Sequence, residues 1–199
     1  MRRDAFRNQE LILRAAREVL STRGADAGMD LIAAEAGVGI GTLYRHFPNR
    51  DAILDALVRA MFDDLLVAAE DALARGDGTG LEIFLRAMCQ SMADRHGYAD
   101  RFAKSITSEV VPKFYRAIDE LLEQAKAAHR ISPDVTLADL RVLIFGIRGV
   151  VAATGSFVPQ AWERHLDIHL AGLRMEPVPS RHPSLTAEQL AAIFAEETA

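Results

Sequence analysis

A chain of 199 residues, half of them hydrophobic, is long enough to bury a substantial core in one or two domains. No stretch approaches the roughly 18 uninterrupted apolar residues of a membrane span, and charges occur throughout the N-terminal segment, so we expect neither a transmembrane helix nor a signal peptide. The single cysteine, Cys89, excludes an intramolecular disulfide and favours a cytoplasmic location.

The net charge of −5 is unevenly distributed along the chain. Residues 1–50 contain eight Lys and Arg residues against six Asp and Glu residues, whereas the remainder contains 15 basic against 22 acidic residues. A mildly basic N-terminal segment on an acidic body permits contact with DNA through one end only. A protein that binds DNA without sequence preference is usually strongly basic throughout, so this distribution disfavours a purely architectural DNA-binding role.

Helical periodicity runs along the whole sequence and no stretch alternates like a strand, which predicts an all-α fold. Asn49 and Thr186 are suited to cap helices, and a break is expected at "RGDGTG" and in the Pro-rich "MEPVPSRHPS". The expected helices span about residues 8–22, 29–36, 40–47, 50–74, 81–95, 98–108, 111–129, 137–156 and 161–173, followed by a short helix after residue 186.

The segment "GVGIGTLYRHFPNR", residues 37–50, has two possible interpretations. A phosphate-binding glycine loop follows a strand, but the preceding "MDLIAAEAG" is a poor strand and the Lys-Ser/Thr pair of a nucleotide loop is absent. Two short helices joined by a tight glycine-containing turn instead form a helix-turn-helix unit, whose second helix enters the major groove of DNA. This second interpretation explains more of the residues.

The helix-turn-helix interpretation separates core residues from DNA-facing residues. Leu43 and Phe47 are expected to face the small core of the unit. The residues left outside, which are the candidate DNA contacts, are Ile40, Gly41, Thr42, Tyr44, Arg45 and His46, with Arg50 following at the start of the next helix.

Five of the candidates have a specific role that fits contact with DNA. Gly41 permits close backbone approach, Thr42 suits a thymine methyl or a phosphate, Tyr44 suits a phosphate, and Arg45 suits guanine. Arg50, together with the amides that begin the following helix, suits a neighbouring phosphate. A surface helix with ordinary polar side chains is the alternative that the sequence leaves open.

The stretch "GMDLIAAEAGVGIGTLYRHFPNRDAIL" resembles the N-terminal domain of the TetR family of bacterial transcriptional regulators. Two positions depart from the usual pattern, since Gly28 replaces a Ser or Thr helix cap and Ile40 replaces a common Lys. The resemblance implies a homodimer with two such domains over a palindromic operator, and a C-terminal pocket for a small-molecule inducer. We expect a DNA-binding domain over residues 1–50, a helical ligand-binding and dimerisation domain over 51–175, and a Pro-rich linker with a short helix over 176–199.

The resemblance places the inducer pocket among the helices expected between residues 50 and 156. Apolar and aromatic side chains at helical spacing suit an adaptable hydrophobic cavity, although for any single one of them a place in the core is the favoured explanation. Arg148 lies in a very apolar stretch, so it contacts a ligand, forms an ion pair or extends its head to water. The candidate ligand contacts are Phe84, Met88, Met92, Phe102, Ile106, Phe114, Tyr115, Ile118, Phe145 and Arg148.

The resemblance places the dimer contact on the last two long helices. Small residues on the first of them permit close approach, and Trp is a frequent interface anchor. The candidate interface residues are Gly149, Ala152, Trp162, His165, Leu166, His169 and Leu170. His165 and His169 are four residues apart, a spacing that a metal site can use, but only Glu163 and Asp167 lie near in sequence and no cysteine is close, so no metal is predicted.

No nucleophile elbow, metalloprotease pair or nucleotide loop occurs, and the sequence predicts no enzyme and no cofactor. The predicted function is a DNA-binding transcriptional regulator, specifically a repressor that a small, mostly hydrophobic ligand releases from its operator. Two alternatives are a metal-responsive regulator and a DNA-binding protein without an effector.

Overall fold

A computed structural model describes residues 2–24, 27–95, 110–174 and 180–196. These residues are mainly helical and contain no strand, which confirms the all-α prediction. None of the helices in these ranges is both long and apolar enough to cross a membrane. The helices are α1 (Arg2–Arg23), α2 (Met29–Glu35), α3 (Ile40–His46), α4 (Arg50–Leu73), α5 (Gly80–Asp94), α6 (Val110–Ala127), α7 (Leu137–Thr154), α8 (Ala161–Leu173) and α9 (Ala187–Glu196).

The helix ends lie within two residues of the expected ones, except at the start of α1. Helix α1 begins at Arg2, six residues before the expected start. Helix α7 begins with a capping box between Thr136 and Asp139, which the sequence analysis did not predict. The helix expected over residues 98–108 lies outside the described residues. The predicted caps at Asn49 and Thr186 are present, accepting hydrogen bonds from the amides of residues 52 and 189 at 2.8 and 3.2 Å.

The first hydrophobic core lies between α1, α2, α3 and the beginning of α4. Two glycines with positive φ make its tight connections: Gly24 (φ +82°) ends α1, and Gly37 (φ +66°) turns the chain from α2 towards α3. Most other residue types are strained at such φ values. The buried members of this core are Ile12, Ala16, Val19, Leu20, Ala27, Ile32, Ala33, Leu43, Phe47, Ile53, Leu54 and Leu57.

The second core fills the body of the molecule between α4, α5, α6, α7 and α8. Helix α4 packs most extensively against α6 and α5, and α8 covers α7 and α5. The contribution of α4 to this core begins at Val58, directly after Leu57, the last α4 residue of the first core. One continuous helix therefore belongs to both cores.

Candidate nucleic-acid interface

Helix α3 is held to the first core by a small part of its surface. Leu43 is fully buried and Phe47, directly after the helix, is 4 % exposed. Gly39 immediately precedes the helix, and its carbonyl accepts hydrogen bonds from the amides of Thr42 and Leu43 at 2.8 and 3.1 Å. The preceding turn is closed by the amide of Val38, which donates to the carbonyl of Ala33 at 3.0 Å. These contacts fix the position of α3 and leave most of its surface uncovered.

The uncovered surface of α3 carries the residues that were predicted to face DNA. Ile40 and Tyr44 are 45 % and 49 % exposed. Gly41 and Arg45 are also exposed, whereas Thr42 and His46 are half-buried at the edges of the surface. The structure thus places these six residues on one short helix of seven residues, around the buried Leu43.

Arg45 and Thr42 form a hydrogen-bonded pair on this surface. The Nη2 of Arg45 donates to the Oγ1 of Thr42 at 2.9 Å, across three residues of the helix. The bond restrains the guanidinium along α3, and a restrained side chain loses less entropy on binding. Next to the pair, a Cβ on Gly41 would meet no atom within 4 Å, so this position is open to an approaching molecule.

The start of α4 adds the remaining predicted contact. Arg50 is half-buried at the first position of α4, and the preceding Asn49 caps the helix through its Oδ1. The two departures from the usual sequence pattern are visible nearby. Gly28 begins α2 without a side-chain cap, and Ile40 begins the exposed surface of α3 with an apolar side chain.

Most of the predicted inducer contacts lie inside the second core. Phe114 is its aromatic centre, with ring centroids 5.2 Å from Phe62, 5.9 Å from Phe84 and 5.5 Å from Tyr115. Tyr115 is half-buried at the edge of this cluster. Phe84, Met88, Met92, Phe114 and Ile118 are each at most 4 % exposed. Phe102 and Ile106 lie outside the described residues, and the pocket itself stays a prediction.

Phe145 and Arg148 differ from the other predicted ligand contacts. Phe145 is 40 % exposed, and the guanidinium carbon of Arg148 lies 4.6 Å from the centroid of its ring. The two side chains therefore pack on each other at the outer surface of α7 and not among the aromatic residues of the core. The arginine that reaches the aromatic cluster is Arg141, whose guanidinium lies 4.2 Å from the ring centroid of Tyr115. Sequence reasoning missed Arg141. Arg141 and Arg148 are seven residues apart on the same helix, so helical periodicity alone does not show which of them reaches the cluster.

The predicted dimer residues divide into a buried, an exposed and a half-buried group. Trp162, Leu166 and Leu170 are 5 %, 0 % and 2 % exposed within the protomer, so the structure places them in the core and corrects their assignment to a protein surface. Gly149 and Ala152 are exposed on α7. Other exposed apolar side chains on or beside the same two helices, absent from the prediction, are Val142, Phe157, Val158 and Ile168.

His165 and His169 are half-buried on α8 with their ring centroids 4.4 Å apart. The Nδ1 of His169 donates to the carbonyl oxygen of His165 at 2.9 Å. Burial lowers the pKa of His165, and the neighbouring His169 lowers it further. Within the described ranges, no three His, Cys, Asp or Glu side chains lie close enough together to hold a metal ion, so the pair has no observed third ligand.

Cys89 is fully buried on α5, and burial raises the pKa of its thiol to about 12 despite the opposing charge of Arg86. Because the thiolate is the reactive form, we expect Cys89 to resist thiol reagents at neutral pH. Labelling with a chromogenic disulfide should be very slow in the native protein and complete in denaturant. Rapid labelling of the native protein would contradict the buried position.

Comparison with known proteins agrees with both halves of this architecture. Residues 12–57 match the model of bacterial regulatory proteins of the tetR family, and residues 76–175 match that of the SbtR-like transcriptional regulator C-terminal domain. A relative described as the HTH-type transcriptional regulator SAR0097 of Staphylococcus aureus is 38 % identical over 76 residues, which are 37 % of this chain. The chain covers only 39 % of the length of that relative.

Two crystal structures of TetR regulators cover nearly the whole architecture. One from Mycobacterium vanbaalenii is 28 % identical with a TM-score of 0.63, covering 87 % of this chain and 99 % of that one. Another, SCO0520 from Streptomyces coelicolor, is 31 % identical with a TM-score of 0.63. The match covers 83 % of this chain and 98 % of that one. The matches include the unit that presents α3 as well as the helical body. The chain therefore belongs to the TetR family and is a DNA-binding transcriptional regulator.

Proposed function

We propose that this protein is a repressor that binds a palindromic operator as a homodimer and is released from it by a small, mostly hydrophobic ligand. Proteins of its family bind DNA and typically dimerise and bind small molecules. The observation that carries the proposal is the surface of α3, where Ile40, Gly41, Tyr44 and Arg45 are exposed on a helix anchored through Leu43. A helix held in this way fits a major groove, which a second protomer would enter roughly 34–36 Å away.

The surface of α7 supports the homodimer. Gly149 and Ala152 are exposed, and a Cβ on Gly149 would meet no atom within 4 Å. Ile168 on the neighbouring α8 adds exposed apolar area at 58 %. A surface with small residues and uncovered apolar side chains is typical of an interface with another protein, and a two-fold axis would bring the same surface of a second copy against it.

Release by a ligand would act through α4, which contributes to both hydrophobic cores. A ligand that binds better when α4 is tilted shifts the population towards dimers whose DNA-binding units are too far apart for the operator. The aromatic cluster around Phe114 and the cation of Arg141 over Tyr115 are the described features that suit a largely apolar ligand. The metal-responsive alternative gains no support from the isolated pair of histidines.

The proposal is tested by selecting bound duplexes from a random DNA library at about 0.1–0.15 M salt, where non-specific binding is weak. We expect a palindromic consensus with half-sites about one helical turn apart. The variant Arg45→Ala should lose enrichment at one position of each half-site. Arg116→Ala, which removes an exposed arginine from α6, is the matched control and should select the same sequences.

An asymmetric consensus would contradict the symmetric dimer. The absence of any enrichment, with weak binding that falls steeply with salt, would contradict the sequence-specific operator and favour the DNA-binding alternative without an effector.

A further inference from the structure

A groove of about 740 Å³ lies between α7, the end of α8 and the segment of residues 180–185, and we call it the C-terminal groove. Its volume falls within the roughly 300–1,000 Å³ of sites for small organic molecules. It is separate from the aromatic cluster around Phe114, none of whose members lines it. The proposed inducer pocket therefore does not account for it.

The groove exists because the C-terminal segment is fastened to the beginning of α7. The Oγ of Ser184 donates to Oδ1 of Asp139 at 2.8 Å and lies 2.6 Å from Oγ1 of Thr136. Thr136 and Asp139 are the two members of the capping box of α7, so the segment is bound to a rigid helix end. Leu190 of the following α9 is 3 % exposed, which gives the segment a second, hydrophobic anchor.

One side of the groove is apolar. Val142, Leu143 and Gly146 of α7 line it from below, and Leu173 at the end of α8 continues this surface. Pro183 and Leu185 of the C-terminal segment line the other side. An apolar ligand body placed between these two sides would be removed from water on both faces, which is favourable in proportion to the area buried.

The polar side of the groove offers hydrogen-bond acceptors and few free donors. The proton of Ser184 is used by Asp139, and the Oγ of Ser180 donates to the carbonyl oxygen of His182 at 2.9 Å. The Nδ1 of His169 donates to a backbone carbonyl at 2.9 Å, which leaves its other ring nitrogen as an acceptor when the ring is neutral. The groups that remain available therefore mostly accept hydrogen bonds, which suits a ligand that donates them.

The charge of the groove favours the same kind of ligand. Asp134 and Asp139 contribute two carboxylates, and no Lys or Arg occurs among the described residues that line it. Asp139 already accepts bonds from Thr136 and Ser184, whereas Asp134 is exposed at the rim. An anionic ligand would meet two like charges here, and a cation would meet two opposite charges.

We propose that the C-terminal groove binds an organic cation, an amine with an apolar body, with the ammonium group near Asp134 and Asp139 and the body along α7. The volume, the apolar side, the acceptor-rich polar side and the two carboxylates all favour this class of ligand. The segment of residues 180–185 then serves to complete a binding site.

The test is a titration of the full chain, without DNA, with hexylamine, hexanol and hexanoate, which share one apolar body and differ in charge. Isotope-labelled methyl groups of Val142, Leu143, Leu173 and Leu185 report the site by NMR at pH 8, above the ordinary titration range of imidazole. We expect hexylamine to shift these methyl signals at the lowest concentration, hexanol at a higher one, and hexanoate not at all. The shift by hexylamine should weaken as salt is added.

Two variants locate the interaction, and a third is the control. Asp134→Asn should weaken the binding of hexylamine about three- to fivefold, as expected for an exposed charge pair. Val142→Arg should weaken it about tenfold or more, because it places a like charge in the groove; Val142 is 46 % exposed, so the fold tolerates the change. Asp119→Asn, on the exposed surface of α6, removes the same charge elsewhere and should leave binding unchanged.

Equal binding of hexanoate and hexylamine, no effect of either variant, or no shift of these methyl signals would each overturn the proposal. The last result includes the case in which a second copy of the chain covers the groove. Because the titration contains no DNA, a negative titration would not affect the operator selection. A failed operator selection would likewise not affect the titration.

Discussion

Substitution Arg45→Ala should weaken binding to the selected operator by about 1–3 kcal/mol per half-site and relax sequence preference at one base pair. The reason is the position of the guanidinium on the exposed surface of α3, where Thr42 restrains it through the 2.9 Å hydrogen bond. A planar donor pair fits the two acceptors that guanine presents in the major groove. Fluorescence anisotropy with the operator and with duplexes changed at single positions measures both effects.

Arg50→Ala provides the comparison, since Arg50 opens α4 beside the helix amides and is expected to contact a phosphate. Its removal should weaken all duplexes alike and lower the slope of log affinity against log salt by about one. Arg45→Ala should instead change the ranking of duplexes. If both variants changed affinity in the same way, the division between a base-reading and a phosphate-binding arginine would be wrong.

Thr42→Val isolates the restraint on Arg45. Valine keeps the shape of Thr42 but removes the acceptor of the hydrogen bond. We expect this variant to keep the preferred sequence and lose affinity by less than Arg45→Ala, and the double variant to lose less than the sum of the two. Additive losses would show that Thr42 contacts DNA independently of Arg45.

The sequence predicted the helices and the surface of α3 well, because local signals determine both. The bounds of α8 are the expected ones, and Asn49 caps α4 as predicted. On α3, Leu43 is the one buried residue, and most of the other positions of the helix are exposed. In a helix this short, the position of one buried residue decides the orientation of the others.

On the helices of the body, periodicity alone could not distinguish a core face from a dimer surface. Trp162, Leu166 and Leu170 repeat every four residues, and such a stripe fits a dimer surface as well as a core. The packing of α8 on α5 and α7 decides for the core. On α7 the same limit applies to Arg141 and Arg148, because only the contact with Tyr115 on α6 shows which arginine approaches the aromatic cluster.

The hydrogen bonds that hold the C-terminal segment to α7 are also non-local, so sequence patterns could not predict them. Thr136 and Asp139 form a recognisable capping pattern, but the contact of Ser184 with Asp139 joins residues 45 positions apart. No pattern within a single chain reports such a pair. The capping box thereby contributes to a groove that sequence patterns do not predict.

Gly80→Ala should destabilise the protein by about 1–3 kcal/mol, although a helical Gly→Ala change usually stabilises by roughly 0.5–1 kcal/mol. Gly80 begins α5 where it crosses the end of α4, and a Cβ there would lie 2.4 Å from the carbonyl oxygen of Ala72 and 2.9 Å from Cδ2 of Leu121. The first of these atoms is backbone, so relief requires α4 and α5 to separate. Urea denaturation at fixed protein concentration measures the change.

Gly172→Ala is the matched control for this prediction. It lies inside α8, and its Cβ would meet no atom within 4 Å, so only the gain in helix propensity should remain. Opposite signs for the two variants would show that the contact between α4 and α5, and not the loss of a glycine, determines the effect. Because α4 also carries the first core, Gly80→Ala should displace α3 relative to the body and weaken operator binding beyond its effect on stability. Equal stabilisation by both variants would contradict the close crossing at Gly80, and with it the rigid support of α4 that the proposed release mechanism requires.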